Sequence, residues 1–84
     1  MSQSKSLADL GAGDKGVIAG VQGGMGIIQR LDAMGLRPGV AVVKVSGHPF
    51  GGPVVVRTGN MRIALGFGMA KKILLAAEAP REGS

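Results

Sequence analysis

The sequence predicts a mainly β domain: a small, partly open barrel of about five short strands, with one helix inserted after the first strand. Three observations point there. Apolar residues alternate with polar or small ones in short runs, as in Met61-Arg62-Ile63-Ala64-Leu65, the period of a half-buried strand. Sixteen glycines among 84 residues supply the sharp corners that a small closed sheet needs. Only Ile27 to Met34 repeats apolar residues at helical spacing over more than two turns. A ferredoxin-like sandwich would need a second full helix.

The elements follow in order. Residues 1–5 read as a tail, 6–76 as one domain and 77–84 as a second tail. Ser6 is placed to cap a single helical turn, with Asp9 three residues on as its capping-box partner and Leu7 and Leu10 facing inward. Lys15 to Gln22 reads as a strand, with Val17, Ala19 and Val21 on one face and Ile18 and Gly20 on the other. Gly23-Gly24 and Gly26 form a loop before the helix. Ile27, Leu31 and Met34 make its buried stripe, which Ile28 widens. Gly35 ends it in a left-handed conformation, Leu36 covers the last turn, and Pro38-Gly39 makes a tight turn. These residues, Leu31, Gly35, Leu36, Pro38 and Gly39, are read as structural.

Val40 to Ser46 is the next strand, with Ala41, Val43 and Val45 on its apolar face and Lys44 on a face partly open to water. Gly47 to Pro53 reads as a loop, because two prolines and three glycines break a ladder. Val54 to Arg57 and Met61 to Leu65 flank a Thr58-Gly59-Asn60 turn, with Met61, Ile63 and Leu65 inside. Gly66 to Ala70 allows one helical turn, and Lys71 to Ala76 is the last strand.

Composition excludes several functions. The chain has no cysteine, so disulfides, thiolate metal sites and thiol catalysis are absent. The net charge is +5, but the basic residues are spread from Lys5 to Arg81 and only Lys71-Lys72 are adjacent. Scattered cations steer weakly toward an anionic partner. With two phenylalanines and no tyrosine or tryptophan, a base-stacking platform is missing, and no nucleic acid is expected as a partner. Charges and glycines interrupt every long apolar stretch, and no apolar run follows the polar first residues. Neither membrane insertion nor a secretory signal is expected.

No motif carries chemistry. Gly23-Gly24-Met25-Gly26 lacks the Lys-Ser/Thr of a phosphate loop. Gly66-Phe67-Gly68-Met69-Ala70 lacks the third glycine, long helix and downstream acid of a dinucleotide site. His48 is the single histidine, with no second histidine or thiolate beside it, so it offers at most a weak metal contact. Asp9, Asp14 and Asp32 are scattered, and no nucleophile, base and acid fall together. The expectation is a non-enzyme without a resident cofactor, with weak divalent metal binding the most it could offer. Phe50, between Pro49 and Gly51-Gly52, either tucks under its own loop or stands out as a candidate apolar anchor for another protein. Phe67, Met69, Lys71, Lys72 and Met25 are the remaining candidates for protein contact, against the alternatives that Phe67 packs on the barrel, Met69 fills the core and Lys71-Lys72 is a solvated edge.

The segment Leu31-Asp32-Ala33-Met34-Gly35-Leu36-Arg37-Pro38-Gly39 resembles the FeoA family of the bacterial ferrous iron transport system. Other pieces match in order: Leu7-Ala8-Asp9-Leu10 with Gly13 and Gly16, Gly52-Pro53-Val54, Gly59, Ile63-Ala64-Leu65, and Ala70 before Ile73. The resemblance spans residues 6 to 76. It implies an SH3-like barrel with a helix after the first strand. It also implies a cytoplasmic accessory protein that works with the cytosolic GTPase part of the permease FeoB, at the inner face of the membrane through that partner. One departure is the neutral, apolar Gly66-Phe67-Gly68-Met69, where many family members carry charge; this marks it as a candidate contact surface and argues against a partner contact that relies on charge there. Two other functions compete. One is a repressor-like SH3 module that binds a peptide, a metal (Fe²⁺) or itself, so that self-association is open. The other is an RNA-binding small barrel, favoured only by the net charge.

Overall fold

The computed structural model describes residues 5–48 and 51–76. The chain runs β1 (Lys5–Ser6), a 3₁₀ turn (Leu7–Asp9), β2 (Lys15–Val21), α1 (Met25–Ala33), β3 (Ala41–His48), β4 (Gly51–Thr58), β5 (Met61–Leu65), α2 (Phe67–Lys72) and β6 (Ile73–Leu75). The strands form one antiparallel sheet in the order β1-β6-β2-β3-β4-β5. Curvature comes from β2. Its first half, Lys15 to Val17, pairs with β3, and its second half, Ile18 to Val21, pairs with β6. A register shift between Ile18 and Gly20 marks the bend, as an irregularity in a ladder does. The sheet thus wraps around one core, to which every main element contributes: Leu7, Ile18, Leu31, Leu36, Val42, Val54, Val56, Ile63, Leu65, Ala70, Ile73 and Leu75 are all buried.

The helix terminates as its sequence predicts. The Leu36 amide donates to the Leu31 carbonyl (2.8 Å) and the Gly35 amide to that of Asp32 (2.9 Å). This is a Schellman motif, and Gly35 adopts the positive φ it requires, +87°. Leu31 and Leu36, which the motif brings together, are both fully buried. Pro38-Gly39 then turns the chain, with Gly39 at φ +94° and the Val40 amide donating to the Arg37 carbonyl (3.1 Å). The Ser6–Asp9 pair also forms: the Ser6 amide donates to Asp9 Oδ2 at 3.0 Å.

Several expectations are corrected. The sheet has six strands, because Lys5 leaves the tail and pairs with Leu75 in a two-residue β1. The helix starts at Met25, two residues early, since Gly24 serves as its N-cap; Ile28 is exposed, so the buried stripe is narrower than predicted. Ladder pairing extends into the glycine- and proline-rich stretch, where His48 pairs with Gly51 through two register shifts. Met61 is 56% exposed, because it sits at the mouth of the β4–β5 hairpin. The turn there puts Gly59 first, at φ +62°, the order of a type II′ hairpin. The single turn after Leu65 is a six-residue α2, which leaves only Ile73–Leu75 for the last strand. Strand β3 presents the opposite face to the one expected: Val42 and Lys44 are buried, and Ala41 is exposed.

Candidate interaction surface

Lys44 is the unexpected member of the core, at 5% exposure. Its Nζ donates to the Leu10 carbonyl at 2.6 Å and to the Ala8 carbonyl at 3.3 Å, closing the end of the 3₁₀ turn. The backbone around it is joined to the following loop, with the Lys44 amide on the Asp14 carbonyl (3.0 Å) and the Gly13 amide on the Lys44 carbonyl (2.7 Å). A buried ammonium is tolerable only when such acceptors replace water. The lysine is therefore a structural clamp and leaves no charge for a ligand.

Helix α2 packs on the 3₁₀ turn and against β4, with Ala70 fully buried beneath it. Phe67 and Met69 are half-buried against the core. Lys71 Nζ lies 5.8 Å from the centroid of the Phe67 ring, a cation–π approach. Lys71 and Lys72 occupy the last turn, where the helix dipole favours cations. The Gln22 amide donates to the Lys72 carbonyl (2.8 Å), tying the loop before α1 to the end of α2. Four candidates, Phe67, Met69, Lys71 and Lys72, thus share one short element. Met25, 67% exposed, stands apart at the start of α1. Phe50 lies outside the described residues, as does the side chain of His48. Among the described residues, no three His, Cys, Asp or Glu side chains gather as metal ligands. Nor is any described helix long and apolar enough to cross a membrane.

The register reveals a grouping that linear reading missed. Lys15 pairs with Val43, Val43 with Arg57, and Arg57 with Arg62, so one row crosses β2, β3, β4 and β5. Paired residues share a sheet face. The adjacent row, Lys44, Val56 and Ile63, is buried, so this one faces solvent, and its three cations are exposed. Three of the ten basic residues, scattered along the chain, thus stand together on the sheet. A signal for the row existed in the spacing of Arg57 and Arg62 about the Gly59-Asn60 turn, which sets them opposite each other in a two-residue hairpin.

Comparison with known proteins agrees with this architecture. The FeoA domain family model matches residues 5–77. A crystal structure of an iron uptake regulatory protein, FeoA, is 34% identical, covers 87% of this chain and 96% of its own, and superposes with a TM-score of 0.80. The zinc complex of Stenotrophomonas maltophilia FeoA is 31% identical over 84% of this chain and 88% of its own, at a TM-score of 0.73. It is described as an SH3 domain protein and a candidate ferrous iron transport activating factor. A manganese-dependent transcriptional repressor superposes at 0.80 with 16% identity, covering 93% of this chain and 44% of its own, a likeness of fold alone. A search of curated proteins finds no match. With a helix-inserted SH3-like barrel, an FeoA domain over nearly its whole length and relatives above 30% identity, the chain belongs to the FeoA family, which is linked to ferrous iron transport.

Proposed function

We propose that this protein is a non-enzymatic accessory of ferrous iron uptake that acts in the cytoplasm by binding the cytosolic GTPase part of the permease FeoB. Family membership over residues 5–77 carries the reading. The contact surface is α2, where Phe67 and Met69 are half-exposed beside Lys71 and Lys72. A partly exposed aromatic ring and a methionine are residue types enriched at interface cores, and the two lysines fit a polar rim around them. Phe50 is proposed as a second anchor on sequence grounds. No resident cofactor is needed for this role. The repressor-like alternative has only the shared fold behind it.

The test is titration of the purified FeoB GTPase domain with this protein, at low and moderate salt and in both nucleotide states. Binding or a changed hydrolysis rate is expected. Silence in every condition would sink the direct soluble-domain contact. Phe67→Ala should weaken binding by more than ~1 kcal/mol, and Lys71→Glu/Lys72→Glu should weaken it most at low salt.

A further inference from the structure

A second surface carries a different inference. Arg57 and Arg62 are direct cross-strand partners, and Lys15 stands in the same row beyond Val43. Like charges placed opposite each other destabilise a sheet. The described acids do not relieve them. Asp9 accepts from Ser6, Asp14 Oδ2 accepts from the Gly11 amide at 3.1 Å, and Asp32 meets Arg37 at 3.5 Å. The apposition is a standing cost within the fold, and an external anion would offset it.

The same row ends at a free edge. Strand β5 is the last of the sheet and pairs only with β4, so its outer backbone groups have no strand partner among the described residues. Apolar positions lie between and beside the cations: Val43 in the row itself, and Val55 with its partner Ala64 in the next outward-facing row. Such a face favours a polypeptide over a nucleic acid, because among the described residues no aromatic side chain stands in it to stack a base. We propose that this edge docks an acidic, extended segment of another protein, which adds as a strand beside β5 and sets one of its outward-facing carboxylates in the row of Arg62 and Arg57. Backbone pairing to an edge strand supplies affinity and the alternating side chains supply selectivity. Strands are spaced about 5 Å apart, so the backbone opposite Arg62 lies about 5 Å from it and about 10 Å from Arg57, a gap that a glutamate and an arginine side chain extended toward each other can span. The inference rests on sheet register and not on the permease, so either reading can fail alone.

The test uses the full chain and a short fluorescein-labelled peptide of alternating glutamate and threonine. Parallel arms use the lysine-threonine counterpart, a polyuridine oligonucleotide and inorganic phosphate. Anisotropy should report binding of the glutamate peptide that weakens with salt and falls at least about tenfold in both R57Q/R62Q and R57E/R62E. Amide resonances of 61–65 should shift in the same titration, and the glutamine variant should remain folded, since it removes a like-charge pair. The proposal is overturned if the glutamate peptide does not bind or if the arginine variants bind it equally. It also fails if the oligonucleotide or phosphate reproduces the shifts at 61–65. A gain in peptide affinity in E78Q/E82Q would equally overturn it, by assigning the row to the chain's own acidic residues.

Discussion

Replacing Lys44 by methionine tests whether a buried cation holds this barrel together. Methionine keeps most of the aliphatic stem but removes the ammonium, and with it the 2.6 Å bond to Leu10 O and the 3.3 Å bond to Ala8 O. Hydrogen bonds from a charged group are worth about 1.5–3 kcal/mol each, and a buried acceptor left alone costs about 1–3 kcal/mol. The short bond to Leu10 is the one that counts, since the longer one is near the limit of useful geometry. Against this loss stands the desolvation penalty that the charged lysine no longer incurs. A net destabilisation of ~2 kcal/mol follows, a substantial part of the 5–15 kcal/mol typical of a whole domain. At this size that lowers Tm by roughly 8–16 °C. With no tryptophan or tyrosine in the chain, urea and thermal unfolding are followed by far-ultraviolet circular dichroism. Amide exchange should quicken in the 3₁₀ turn Leu7–Asp9 and at Leu10, because the Lys44 ammonium is what ties their carbonyls to β3, while the backbone bonds of Lys44 to Gly13 and Asp14 remain. A Lys44→Met protein as stable as the parent, or more so, would refute the clamp. It would show that desolvation outweighs the two bonds.

Two further substitutions probe the surroundings of Lys44 and the stop of the helix. At Gly47 an added Cβ would lie 2.8 Å from Lys44 Cε, so Gly47→Ala should cost ~1–3 kcal/mol in the parent and much less in Lys44→Ala, a coupling read from a double-mutant cycle of urea midpoints. Gly35→Ala forces alanine into φ +87° at the Schellman turn and should lose at least ~1 kcal/mol; unchanged stability would mean that Leu31 and Leu36 do not depend on that conformation.

Much of the fold was legible in local chemistry. The Ser6–Asp9 cap, the helix stop at Gly35 with Leu36 folded back, and the Pro38-Gly39 turn each depend on residues within five positions. Such patterns survive in linear sequence because their hydrogen bonds close over a few residues. The face of β3 was not legible. Val42, Val43, Lys44 and Val45 put apolar residues on both sides of the strand, and a lysine ordinarily argues for water. The acceptors that make Lys44 a core residue lie 34 and 36 positions away. The candidate surface divides in the same manner. The clustering of Phe67, Met69, Lys71 and Lys72 follows from adjacency, whereas the Lys15–Val43–Arg57–Arg62 row exists only through register.

Short-range chemistry therefore determined the type of domain, the helix and its stop, the β4–β5 turn, and membership of a family recognised by an ordered set of glycines and leucines. Tertiary structure alone decided which side of β3 is inside, how β2 divides its pairing between β3 and β6, and which distant cations stand together. The physical reason is the strand's period of two. A shift of one residue in register exchanges its faces, and where both faces are partly apolar only the partner strands choose between them.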